Sequence, residues 1–316
     1  MESFREALGA ALLDLGRTNP KVVVVTPDLA NAVKITAYKK EFPDRFVSVG
    51  ISEADCLCFA AGLAAAGLTP VVVGFAMFVA EKAFEQIRNA IAYPHLNVTI
   101  IATHAGLCVG RDGATHQALE DIAIMRTLPG FAVLAAADAA QTAAAISAAV
   151  AHPGPVYLRL GRDESRPVVP EGRKFTIGEA DLLAPGDDVT LVACGLMTAN
   201  AMEAALVLAG EGVSARVLNM GSIKPLDTSA LLAAARETGA LVTVEDHGVA
   251  GGLGSAVLEA LSRHAAVPVE MVGVQDVFGE SGSQEELYAK YALDVPAIVA
   301  AARRALGRKK GGERLG

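Results

Sequence analysis

The stretch THAGLCVGRDGATHQ, residues 103–117, follows an apolar run from Val98 to Ala102 and precedes a helical pattern that begins near Ala118. The apolar run reads as a buried strand, so the stretch is a strand-to-helix connection. It carries His104, Asp112 and His116 among Gly106, Gly110 and Gly113, with Leu107 and Val109 as its large aliphatic residues. That composition predicts a loop outside the core. Two histidines and a carboxylate on such a loop can accept and donate protons near neutral pH. A solvated surface loop would carry the same residues, so the neighbouring chain has to decide.

Toward the N-terminus, helical residues 3–16 lead to the β-branched run Val22 to Val25, then to a helix near 32–40 and a strand at 46–49. Ser52 is placed to cap a helix that holds Glu53 in its first turn. A strand at 70–74 and a helix at 78–92 follow, and beyond the histidine loop come helix 118–127, strand 131–135, helix 139–151 and strand 155–160. Short strands alternating with helices predict a doubly wound parallel sheet, with sites beyond the carboxyl ends of its strands. Asp28, Glu53, Phe75, His104 and Arg162 each lie at or just after a predicted strand end, hence on one edge. Acids are favoured at helix N-termini for dipole reasons alone, so Glu53 by itself would mark nothing. The convergence of five residues is the signal.

From Arg162 to about Asp187 the chain turns polar and proline-rich, as domain connections do. A second α/β unit follows, with strands at 189–193, 214–218, 241–244 and 268–272 and helices at 198–210, 228–238 and 253–263. The expected division is a first domain at 1–165, a connection at 166–187 and a second, smaller domain at 188–316. Glu245, Asp246 and His247 precede Gly251, Gly252 and Gly254 without the full dinucleotide-binding spacing, which reads as a turn feeding a helix.

Composition bounds the function. The chain has 316 residues and a net charge of −8, which argues against nucleic acid or an anionic membrane as the main partner. Cys56, Cys58, Cys108 and Cys194 show neither metal-ligand nor disulfide spacing and read as thiols of a reducing cytoplasm. The N-terminal residues open straight into an amphipathic helix, so no signal peptide is expected. Cys56 to Ala80 is uncharged and exceeds the ~20 residues of a membrane span, yet Gly67 and Pro70 cut it into a buried helix and a strand.

The histidine loop and the segment Val49 to Asp55 together resemble the pyrimidine-binding part of transketolases. The family's histidine, aspartate and histidine, spaced i, i+8 and i+12, fall on His104, Asp112 and His116, and residues 112–117 fit its Asp-Gly-x-x-x-Gln core. Phe75 to Phe78 and Phe84 to Arg88 also resemble the family, as does, more weakly, the chain toward its C-terminus. The resemblance implies thiamine diphosphate as cofactor, with Glu53 on the pyrimidine nitrogen, Phe78 stacked on the ring, and Phe75 and Asp28 beside it. It implies that His104, Asp112 and His116 hold sugar hydroxyls and assist proton transfer, while Arg5 and Arg162 grip a terminal phosphate or other acidic group of the sugar. Arg159 is a further arginine near that position. Arg111 and Ala32 depart from the family's usual glutamate and serine, which bears on substrate preference.

The family's Gly-Asp-Gly and later Asn, which anchor Mg²⁺ and diphosphate, have no counterpart in the sequence. The implied protein is the C-terminal subunit of a split transketolase, partnered in an α2β2 assembly by an N-terminal subunit that carries the diphosphate-binding domain and the metal ligands. The second domain is expected to lie outside the cofactor site, as it does in the family. Alternatives on the same resemblance are a deoxyxylulose-phosphate-synthase-like enzyme, a 2-oxo acid dehydrogenase β subunit and a non-catalytic regulatory homologue.

Overall fold

A computed structural model describes residues 2–162 and 164–311. The N-terminal unit comprises β1 (Glu2–Ser3), α1 (Phe4–Thr18), β2 (Val22–Thr26), α2 (Thr36–Glu41), β3 (Phe46–Ser48), α3 (Glu53–Ala65) and β4 (Thr69–Phe75). It continues with α4 (Phe84–Gln86), β5 (Thr99–Thr103), α5 (Asp121–Arg126), β6 (Ala132–Ala135), α6 (Ala139–Ala151), β7 (Val156–Arg159) and β8 (Glu164–Ser165). The C-terminal unit holds β9 (Asp181–Ala184), β10 (Val189–Ala193), α7 (Met197–Gly210), β11 (Ala215–Asn219), β12 (Ser222–Lys224) and α8 (Thr228–Thr238). It ends with β13 (Leu241–Gly248), α9 (Leu253–Leu261), β14 (Val269–Val274), α10 (Gln284–Lys290) and α11 (Val295–Gly311).

Strands β2, β3, β4, β5, β6 and β7 are parallel, in the order β6-β7-β5-β4-β2-β3. All five residues of β2 and of β5 are buried, as a sheet covered by helices on both faces requires. On one face, α1 buries Phe4, Leu8 and Leu12 at helical spacing into a cluster with Ala145, Ile146 and Ala149 of α6. The second sheet runs β14-β13-β10-β11-β9, parallel except for β9. Two α/β units with mostly parallel sheets are what the alternating pattern predicts.

Three elements depart from the expected pattern. The expected helix at 32–40 is shortened to α2, because Asp28 and Lys34 take left-handed backbone angles, φ 61° and 62°. The expected helix at 78–92 is interrupted: π-helical turns at Met77–Lys82 and Ile87–Ala92 flank α4. The expected connection at 166–187 contains β9, which pairs with β11, so the second unit's structure starts before residue 188.

The two units also exchange structure. β12 leaves the second sheet and pairs antiparallel with β6, which extends the first sheet to seven strands and covers its edge. One hydrophobic cluster contains Ala118, Ile122 and Met125 of the first unit together with Ile223, Leu253 and Val257 of the second.

Candidate active site

Register alone brings the first pair of site residues together. Phe75, the last residue of β4, pairs with Thr103, the last of β5, so His104 emerges beside the Phe75 side chain. Their ring centroids are 3.8 Å apart. His104 has φ 57°, an uncommon conformation for a residue with a Cβ, and its Nδ1 lies 2.9 Å from Thr103 Oγ1. The residue is buried, and that desolvation, with the charges of Arg5 and Arg162 and the neighbouring His116, pushes its pKa down to about 3. The imidazole is therefore neutral at neutral pH.

A second ring pair sits on the adjoining turn. Phe78 belongs to the π-helical turn Met77–Lys82, its centroid 6.2 Å from that of Phe75, and it meets His116 edge-on at 5.1 Å. Such turns recur at functional sites because one extra residue re-aims the side chains. Arg162 Nη1 pairs with Asp112 Oδ2 at 3.2 Å and donates to the Val109 carbonyl, which ties the end of the first sheet to the histidine loop. Arg5 Nη1 donates to the Ala32 carbonyl at 3.1 Å.

Glu53 is the first residue of α3 and is only 3% exposed. Ser52 precedes it at the cap position, but its side chain makes no capping hydrogen bond. The Glu53 carboxylate instead accepts from Lys82 Nζ at 2.6 Å, a lysine whose side chain is 57% exposed. Sequence reasoning missed Lys82. Its one signal was that Glu81 and Lys82 end the uncharged run from Cys56 to Ala80. Asp28 is exposed at the end of β2, on the same edge, and no described contact joins Asp28 or Glu53 to the histidine cluster.

Arg159 is turned into the fold. It is buried within β7, its Nε is 2.9 Å from Asp121 Oδ2, and its Nη2 donates to the carbonyls of Ala118 and Asp246. At the last position of β7, against Asp121 at the start of α5, it is a buried and paired cation, whereas Arg162, three residues further on, stays partly open.

The histidine loop is also more buried than its composition predicts. Residues 101–110 are all buried, and Leu107, Cys108 and Leu119 join the core of the second unit. Asp246, at the end of β13, accepts from Leu107 N at 2.7 Å and Cys108 N at 3.1 Å, the amides that open the 3₁₀ turn Leu107–Asp112. Gln117 Nε2 donates to the Glu280 carbonyl at 2.9 Å. The second unit therefore does not stand apart from the candidate site. It forms the floor of the loop.

The glycine turn at 251–254 behaves as expected of a helix start. The Glu245 carboxyl group accepts from Leu253 N at 2.6 Å and Gly254 N at 2.8 Å, which fills the start of α9 from within the chain. Among the described residues no group of three or more His, Cys, Asp or Glu side chains is arranged to hold a metal ion. No helix among them is long and apolar enough to cross a membrane.

Proton-transfer groups, aromatic rings and arginines gathered at the carboxyl edge of a parallel sheet are the arrangement of an α/β enzyme. Two family models then match in tandem: the transketolase pyrimidine-binding domain over residues 2–167 and the transketolase C-terminal domain over residues 178–298. The chain belongs to the transketolase family, whose thiamine diphosphate dependence membership implies. It is 40% identical to a 6-deoxy-6-sulfo-D-fructose transketolase subunit, SqwH, of a Clostridium species, over 97% of this chain and 95% of that one. Identity is also 40% to one of the subunits of an apulose-4-phosphate transketolase of Phocaeicola vulgatus, over 94% of this chain and 96% of that one. A solved split-gene transketolase, described as an inactive β4 tetramer, superposes with a TM-score of 0.90 at 49% identity, covering 97% of this chain and 99% of that one. Full-length 1-deoxy-D-xylulose-5-phosphate synthases are a related branch, matched over about half their length.

Proposed function

We propose that the chain is the pyrimidine-side subunit of a two-chain, thiamine diphosphate-dependent transketolase that moves a two-carbon ketol unit from a ketose to an aldose. The observation that carries this is the contact set Phe75–His104, Phe78–His116 and Arg162–Asp112, assembled on one strand edge with buried Glu53. A buried carboxylate at a helix N-terminus and, on the same strand edge, two phenyl rings 6.2 Å apart suit the flat, nitrogen-bearing end of thiamine. When bound, thiamine diphosphate supplies an electron sink for breaking the carbon–carbon bond beside the ketose carbonyl. Glu53 would share a proton with the pyrimidine nitrogen, Phe78 would stack on the ring, and Phe75 and Asp28 would line its pocket.

Neutral His104 can donate or accept one hydrogen bond at a substrate oxygen without adding charge, and His116 and Asp112 stand where sugar hydroxyls would be held. Arg5 and Arg162 add a positive field to the burial that depresses His104. Guanidinium groups suit a phosphate or sulfonate terminus. The names of the two 40% identical relatives, one acting on a sulfo-sugar and the other on a phosphorylated one, agree with an acidic sugar. We place Mg²⁺ and the diphosphate on a partner chain in an α2β2 enzyme, because this sequence lacks the Gly-Asp-Gly and Asn pair, and we place the enzyme in a reducing cytoplasm.

The test is assembly. Purified alone with thiamine diphosphate and Mg²⁺, the chain should transfer no ketol unit. Co-purified with a chain that bears Gly-Asp-Gly and the later Asn, it should transfer from an acidic ketose. Full activity of the isolated chain would overturn the two-chain reading.

A further inference from the structure

The candidate site is built on the first unit, yet the carboxylate that fixes its loop belongs to the second. Asp246 accepts at Oδ1 from Leu107 N–H, and at Oδ2 from both Cys108 N–H and the Tyr288 hydroxyl, at 2.7, 3.1 and 2.8 Å. All three partners and Asp246 itself are buried. The two amides are the first of the turn that separates His104 from Asp112, and amides there have no partner within the turn. Asp246 therefore acts as an N-cap supplied by another domain.

The loop is shaped to receive it. Gly106 has φ 86°, and a Cβ there would lie 2.4 Å from the Asp246 carboxyl carbon. Gly106 N also donates to the Ala118 carbonyl at 2.9 Å, which closes the loop back on itself. On the far side of the turn, Gln117 Nε2 bridges the carbonyls of Gly110 and Glu280. The second unit thus holds the loop on both sides, by backbone amides after His104 and by the Gln117 side chain after His116. Arg159 completes the link, since its guanidinium reaches both the Asp246 carbonyl and Asp121.

We propose that Asp246 is a positioning residue for the sugar-handling histidines: it sets the path of the loop on which His104, Asp112 and His116 stand, without touching the substrate. Its role in the sugar steps rests on the transketolase reading above; the clamp itself does not. Asp246→Asn keeps the size but turns an amide NH₂ toward one of the donors, so the cap is lost on at least one amide. Glu53 makes no contact with this network, so the two tasks separate.

The experiment uses the assembled two-chain enzyme with thiamine diphosphate. For Asp246→Asn, kcat for ketol transfer should fall by about 30-fold or more, cofactor C2 proton exchange should stay within about twofold, and amide hydrogen exchange at Leu107 and Cys108 should accelerate. Gly106→Ala, which attacks the same contact from the loop side, should give the same pattern. Tyr288→Phe, which removes one donor and leaves the amides capped, should lower kcat by less than about threefold. The proposal is overturned if Asp246→Asn transfers ketol at near wild-type rate, or if transfer and C2 exchange fall together. It is equally overturned if Tyr288→Phe matches Asp246→Asn, for then the residue serves the second unit's fold. A wild-type complex that transfers no ketol unit, with faster exchange at Leu107 and Cys108 in Asp246→Asn, would sink the functional reading and leave the clamp standing.

Discussion

Two loops of this chain share one plan. Each joins the carboxyl end of a parallel strand, β5 or β13, through glycines to a helix, with a buried histidine of lowered pKa at or just after the strand end. Around 245–254 the chain itself supplies the partners. Glu245 caps α9, His247 uses Nδ1 on the Gly248 carbonyl at 2.6 Å, and its Nε2 accepts from Ala123 N at 3.3 Å. In the loop at 103–117, His104 is hydrogen-bonded at Nδ1 and otherwise meets a phenyl ring and a positive field. The first loop gathers histidines, rings and arginines at the strand edge, whereas in the second the polar groups are taken up by backbone partners. Here the closed loop also supplies Asp246 to steady the open one.

The largest expected effect tests whether the open edge belongs to a cofactor. Glu53→Gln in the assembled enzyme should slow cofactor C2 proton exchange by roughly 100-fold or more, the scale of a lost acid–base group. Lys82→Met should change it by less than about tenfold, because an ion pair with one exposed partner contributes little. Near wild-type exchange in Glu53→Gln would remove the carboxylate from the chemistry.

Next come the two histidines of the comparison. His104→Ala should lower kcat for ketol transfer by about 100-fold and leave C2 exchange nearly unchanged. The His104 imidazole should show no NMR titration between pH 8 and pH 4, since its folded pKa is about 3. An unfolded chain takes up that proton near pH 6.5. Stability of the wild type relative to His104→Gln should therefore fall as pH drops from 6.5 toward 3, by about 1.4 kcal/mol per unit. A flat difference in denaturation midpoints across that range would show that His104 is solvated.

Glu245→Ala breaks the closed loop instead. It leaves the Leu253 and Gly254 amides without their acceptor, at a cost of about 1–3 kcal/mol each, less whatever water recovers. Burial already pushes the Glu245 carboxyl up to about 8, so part of its pairing strength is spent on desolvation. Thermal denaturation should register the loss, with transfer per folded complex much less affected than in His104→Ala. Equal losses of transfer in the two variants would erase the distinction between the loops.

The smallest effect concerns the acidic end of the sugar. Arg162→Ala should penalise phosphorylated acceptors over unphosphorylated ones by the ~1.5–3 kcal/mol of a charged hydrogen bond, and Ala32→Ser should restore only ~0.5–1.5 kcal/mol of phosphate preference. The measurement is kcat/KM for both acceptor types. Equal penalties in Arg162→Ala would mean that its pairing with Asp112 and Val109 is its whole role.

The sequence by itself determined the alternation of strands and helices and the edge on which Asp28, Glu53, Phe75, His104 and Arg162 gather. Both follow from local periodicity and strand ends, which neighbouring residues fix. The composition of one Gly-rich loop likewise singled out His104, Asp112 and His116, and their spacing resembles that of the transketolase family. Tertiary structure alone decided the contacts that cross the chain. Lys82 reaches Glu53 through an extra residue in a π-helical turn, which hydrophobic pattern does not encode. Arg159 and Arg162 look alike three residues apart, and only the end of β7 separates a buried cation from an open one. Asp246 lies 138 residues from Cys108, and β12 crosses to the other unit's sheet. Such pairings depend on how two units dock, and docking is set by the summed burial of a shared core rather than by any local run of residues.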